Sequence, residues 1–101
     1  MVYRLQFLPD ALKEWEALDG SIKAPLRAAL KKRLTNPHVS SAALGTELAG
    51  CYKIKLRKLG YRLVYVVEDD VLVVIVLAIG KRDRLAAYEN ALKRLITKRV
   101  G

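Results

Sequence analysis

Between Cys51 and Arg62 the chain carries Lys53, Lys55, Arg57, Lys58 and Arg62 and no acidic residue. A cation row with no carboxylate in its own segment attracts anions, because nothing nearby neutralises its field. Lys53, Lys55 and Arg57 alternate with Ile54 and Leu56, and period-two alternation puts the three cations on one face of a strand. Lys81, Arg82 and Arg84 follow a long apolar run further on, and Tyr88 comes about one helical turn later.

Lysine, arginine and tyrosine together suffice to cleave RNA without a metal. The ribose 2′-hydroxyl supplies the nucleophile, so the protein needs a base for its proton, an acid for the leaving 5′-oxygen, and cations around the charged transition state. Crowded cations lower one another's pKa, so a partly neutral Lys55 beside Lys53 can serve as base. Tyr88 can share a proton or stack on a nucleobase, and Arg62 and Arg82 suit the forked geometry of phosphate. Where Arg62 falls depends on the turn around Lys58-Leu59-Gly60. A loop of two or four residues sets Lys55 opposite Arg62 on one face, and three residues would set them on opposite faces. We expect the even loop.

Other chemistries find little footing. The lone histidine, His38, has no cysteine or acidic cluster beside it in sequence, which argues against a zinc site or a two-histidine nuclease and leaves it a surface residue. There is neither a Gly-rich phosphate loop ending in Lys-Ser or Lys-Thr nor a Gly-x-Ser-x-Gly, and no cofactor or metal is implied. Cys51 is the only cysteine, so no internal disulfide can form.

The 101 residues form one domain over 1–101, 52% hydrophobic, with formal charge +9 and a pI near 9.9. Such a balance favours nucleic acid as partner. The most apolar run, Val71 to Ile79, is too short to span a bilayer, so the expected location is cytoplasmic, with no membrane partner.

The elements that must hold these residues follow from periodicity. Val2 to Leu8 alternates as a strand covered on one face, and Pro9-Asp10 opens a helix with Ala11, Leu12, Trp15 and Leu18 on its apolar side. A second helix runs from about Ser21, its expected N-cap, to Thr35, on an Ile22, Leu26, Leu30, Leu34 stripe. Its far flank carries Lys23, Arg27, Lys31 and Lys32, a face for solvent or for phosphate backbone. A loop over 36–50 precedes strands at about 51–57, 61–68 and 71–79, the last central and closed by Gly80. A terminal helix presents Tyr88, Leu92, Leu95 and Ile96 on one side. The order β-α-α-β-β-β-α predicts an α+β fold, with a four-stranded, mainly antiparallel sheet and two N-terminal helices on one face.

Cys-Tyr-Lys-Ile-Lys-Leu-Arg at 51–57, Gly-Tyr-Arg-Leu-Val-Tyr at 60–65, Ile-Gly-Lys-Arg-Asp-Arg at 79–84 and Tyr88 closely resemble the RelE toxins of the RelE/ParE superfamily. Ala11-Leu-Lys-Glu-Trp15 and Ala91-Leu-Lys-Arg94 agree, so the resemblance spans nearly the whole chain. It implies a microbial RNase-like fold and a toxin of a type II toxin–antitoxin system. The implied activity is a ribosome-dependent mRNA endonuclease (mRNA interferase), cutting in the A site of a 70S ribosome, inhibiting translation and neutralised by a RelB-like antitoxin. Lys53, Lys55, Arg62, Arg82 and Tyr88 fall on the family's catalytic positions, and a 2′,3′-cyclic phosphate and a 5′-hydroxyl are the implied products. Arg57, Lys58, Lys81, Arg84, Lys31 and Lys32 are the expected RNA and ribosome contacts. One departure is the loop Leu44-Gly-Thr-Glu-Leu-Ala-Gly50, where RelE proteins can carry a further arginine. The alternatives are a ParE-like gyrase inhibitor of similar fold and a non-catalytic basic domain that binds RNA or the ribosome.

Overall fold

A computed structural model describes residues 2–82 and 86–100 of the chain. The elements are β1 (Arg4–Phe7), α1 (Pro9–Glu16), α2 (Gly20–Thr35), β2 (Cys51–Leu56), β3 (Tyr61–Glu68), β4 (Val73–Lys81) and α3 (Ala86–Val100). The strands form one sheet in the order β1-β4-β3-β2. β2, β3 and β4 pair antiparallel, while β1 joins the outside of β4 in parallel. The α+β architecture of the sequence reading is therefore the observed one.

Strand β4 lacks polar alternation because both its faces are covered. One layer gathers Ile54, Leu63, Tyr65, Val74, Val76 and Ile79 against Ala11 of α1 and Ile22, Leu26 and Leu30 of α2. The other gathers Val64, Val66, Ile75, Leu77 and Ala78 against Ala87, Ala91 and Leu95 of α3. Each large aliphatic side chain buried here contributes about 1.5–3 kcal/mol. Both N-terminal helices thus share one face, and α3 has the other.

The structure differs from expectation at several boundaries. Asp19, not Ser21, caps α2, its carboxylate accepting the Ser21 N–H at 3.0 Å, and the helix starts at Gly20. β4 begins at Val73 because Leu72 takes a left-handed φ of 55°, which turns the chain sharply after the acidic segment. It continues through Gly80, which pairs with Arg62, to Lys81. Leu12 is exposed, as is Ile96; α3 meets the sheet instead through the small residues Ala87 and Ala91 and through Leu95. Small contact residues let a helix sit close to the strands beneath it. The 36–50 segment contains two short 3-10 turns, Ser40–Ala42 and Thr46–Leu48.

Candidate active site

The hairpin of β2 and β3 sets the geometry. Leu56 pairs with Tyr61, leaving a four-residue loop, and Gly60 closes it with a φ of 72° and an N–H donated to the Leu56 carbonyl at 2.7 Å. The loop is even, so Lys55 stands directly opposite Arg62. Cys51 and Val64 belong to the layer under α3, and by alternation Lys53, Lys55 and Arg62 lie on that same face.

Arg82 reaches this face from β4. Its backbone N–H donates to the Gly60 carbonyl at 2.7 Å, which ties the end of β4 to the hairpin loop. Lys55, Leu56, Arg57, Tyr61, Arg62 and Arg82 then line one cavity of about 330 Å³. Lys81 lies beside it, lining a neighbouring hollow with Leu59, Gly60, Tyr61 and Arg82. Lys58 shares a wider depression with Lys55, Arg57 and Pro25.

Tyr88 enters from α3. The Arg62 guanidinium carbon lies 5.0 Å from the Tyr88 ring centroid, within cation–π range. This approach needs the first turn of α3 close to the sheet, and it is close at Gly80: a Cβ there would stand 3.4 Å from the Ala87 nitrogen, in van der Waals contact.

The electrostatics match the geometry. Lys55 has its pKa pushed below the ordinary lysine value, first by the charge of Lys53, then by partial desolvation and by the charge of Arg62. The ion pairs among the described residues, His38–Asp69, Glu14–Arg94 and Lys98–Glu68, all lie elsewhere. The buried Nε of Arg62 has no hydrogen-bond partner among the described residues. Among the described residues the site is a cluster of cations without an ion-pair partner, set against an aromatic ring, and it suits an anion. Among the described residues no group of three or more His, Cys, Asp or Glu side chains is gathered, and no helix is long and apolar enough to cross a membrane.

Not every expected residue joins the cluster. Lys31 lines a groove with Leu5, Phe7, Trp15 and Arg27 beside β1, and Lys32 lies with it on α2, across the sheet from the site. Arg84 lies outside the described residues. Conversely, Arg33 supports the site without any local sequence signal. Its Nη1 donates to the Lys53 carbonyl at 3.1 Å and to the Tyr65 hydroxyl at 2.9 Å, and Tyr65 donates onward to the Pro37 carbonyl at 2.7 Å. His38, taken as a plain surface residue, is half-exposed yet bridges Tyr52 at 2.8 Å and Asp69 at 2.7 Å, with Tyr3 donating to the same Asp69 oxygen. That network sits at the opposite end of β3 from Arg62.

Known proteins share this fold. The sequence profile of the ParE toxin of the type II toxin–antitoxin system parDE matches residues 5–86. The mRNA interferase toxin RelE of Escherichia coli strain K12 is 43% identical over 96 residues, covering 95% of this chain and all of that protein. A double arginine-to-alanine mutant of E. coli toxin RelE in the free state superposes with a TM-score of 0.85 at 41% identity, over 94% of this chain and 99% of that one. In the intact E. coli RelBE toxin–antitoxin complex, the matching chain gives a TM-score of 0.75 at 43% identity, over 78% of this chain and 95% of its own. With profile, sequence and fold in agreement across nearly its whole length, the chain belongs to the RelE/ParE family of type II toxin–antitoxin toxins.

Proposed function

We propose that this toxin is an mRNA interferase that cuts message in the A site of the 70S ribosome and is held in check by a RelB-like antitoxin. The observation that carries the reading is the convergence of Lys55, Arg62 and Arg82 on one cavity with Tyr88 packed against Arg62. The relatives named mRNA interferase and the RelBE complex support it.

The chemistry is a transphosphorylation. Lys55, whose ammonium is destabilised by its neighbours, takes the proton from a ribose 2′-hydroxyl as the 2′-oxygen attacks the adjacent phosphorus. Arg62 and Arg82 hold the non-bridging oxygens as negative charge grows on them. Lys53 or Tyr88 returns a proton to the departing 5′-oxygen. One P–O bond forms and one breaks, leaving a 2′,3′-cyclic phosphate and a 5′-hydroxyl. No metal takes part in any of these steps. The ribosome would hold the message in line with this pocket, the contribution that a small open site cannot make alone. The toxin would act in the cytoplasm, where translating ribosomes are.

A second reading, gyrase inhibition without nuclease activity, draws on the ParE description of the matching profile. One experiment separates the two. In a purified translation system, the toxin should produce mRNA fragments whose new ends map to the A-site codon and carry a 2′,3′-cyclic phosphate. Intact message, together with gyrase-dependent DNA breaks, would overturn the proposal in favour of the ParE reading. Within the nuclease reading, Arg82→Ala should slow single-turnover cleavage by roughly 100-fold, the scale of a lost transition-state contact. An unchanged rate would remove Arg82 from the site.

A further inference from the structure

β1 covers one edge of β4 only from Val73 to Val76, so that edge lies open from Leu77 onward. Backbone groups on an open edge require partners. Two side chains from different helices supply them. Glu14 of α1 accepts the Ile79 N–H at 3.1 Å, and Arg94 of α3 donates to the Leu77 carbonyl at 2.9 Å. The same two side chains meet in a fork, Nη1 to Oε1 at 2.8 Å and Nη2 to Oε2 at 3.0 Å. With side chains only 19% and 27% exposed, the pair is screened far less than a surface contact.

The pair therefore clamps two helices from opposite faces of the sheet around its edge. It joins α3 both to the backbone of β4 and to α1. Among the described residues, the rest of the helix is held by the packing of Ala87, Ala91 and Leu95 on the sheet, by the Tyr88 ring on Arg62, and near its end by an ion pair of Lys98 with Glu68 at 2.9 Å, each side chain one-third exposed. Tyr88 lies on this helix between Ala87 and Arg94.

We propose that Glu14 and Arg94 are positioning residues for the candidate active site: by fixing the seat of α3 on β4 they fix the Tyr88 ring against Arg62. The proposal rests on the nuclease reading, in which that contact belongs to the reacting site. Neither Glu14 nor Arg94 lines the cation cavity, so both act through the helix. If the pair did no more than satisfy an open edge, its loss would lower stability and leave the chemistry alone.

The test is a double-mutant cycle of Glu14→Gln with Tyr88→Ala in the full chain, read by single-turnover cleavage on ribosomes and by amide hydrogen exchange. Glu14→Gln alone should slow cleavage by about 10-fold or more, since an ångström of misplacement can cost ~100-fold. In the Tyr88→Ala background the same change should cost less than about twofold, the scatter expected of independent sites. Exchange should quicken at the amides of Ala91–Leu95 while β3 amides keep their protection. Additive rate losses, or exchange in α3 that matches the wild type, would overturn the proposal. A wild-type protein that cleaves no message would instead sink the nuclease reading, and the exchange data would still decide whether the clamp seats α3.

Discussion

Gly80 stands where β4, the hairpin and α3 meet, and enlarging it tests how closely the helix is held. A Cβ built there would lie 3.4 Å from the Ala87 nitrogen, 3.6 Å from its Cβ and 3.7 Å from its Cα, which are ordinary contact distances. Gly80→Ala should therefore fit. It should stabilise the fold by about 0.5–1 kcal/mol, because alanine loses less backbone freedom on folding than glycine does. Gly80→Val adds two further carbons where the first is already in contact, and overpacking of this kind costs about 1–3 kcal/mol. With a urea slope of roughly 1–3 kcal/mol/M, a loss of about 2 kcal/mol lowers the unfolding midpoint by about 1 M. Because Gly80 pairs with Arg62, the displaced first turn of α3 should also draw Tyr88 away from the guanidinium and slow cleavage. The assay is urea denaturation of the three proteins, followed by single-turnover cleavage. Two results would refute the reasoning: an alanine variant as unstable as the valine one, or a valine variant equal to wild type in both measurements.

If Lys55 is the base, the cleavage rate rises with pH as its ammonium deprotonates, with a midpoint below the ordinary lysine value because its folded pKa is lowered. Lys53→Met removes the largest cause of that lowering and should move the midpoint up, so an unmoved midpoint assigns the proton to another group. Asp69 has its pKa lowered by hydrogen bonds from His38 and Tyr3, so its contribution to stability is full above the ordinary carboxylate range and is lost as pH falls through the depressed value. Asp69→Asn should thus lower the unfolding midpoint at neutral pH and converge on wild type in acid, and an equal deficit at both would show that the network is not charge-dependent. Leu26→Ala, at a fully buried position under the sheet, should cost about 2–5 kcal/mol in denaturant unfolding, and a smaller loss would mean that the α2 layer collapses around the gap.

Much of the site could be derived before the fold was known, because its parts are local. Lys53 and Lys55 share a face by strand alternation alone, and Gly60 hints at the left-handed turn that brings Arg62 opposite Lys55. The two-sided burial of β4 showed in its unbroken apolar run for the same reason. What escaped is what depends on partners distant in the chain. Nothing around Glu14 announces that it will accept an amide proton from Ile79, or that Arg94 will close the pair, since each is an ordinary polar residue of an amphipathic helix. Arg33 resembles any cation near a helix end until β2 and Tyr65 are placed beside it. His38 gains its role only when Asp69 and Tyr3 arrive from the far end of the sheet. The early end expected for β4 at Gly80 came from treating glycine as a stop, whereas here it pairs with Arg62 and the strand runs on to Lys81.

The parallel pairing of β1 with β4 also bears on how the molecule comes into being. β1 finds its place only beside β4, the last strand in chain order, so Arg4 must await Val73 while everything between them is synthesised. A contact of such long sequence separation forms late, since the loop it closes must be ordered before the pairing repays that entropy. The cation row on β2 and β3 precedes β4 in the chain, and Arg82 and Tyr88 follow in the segment that completes the sheet. On the nuclease reading, the row of cations is therefore made before the arginine and the tyrosine that complete the cleft, and neither part can act until the last strand and helix have joined the sheet.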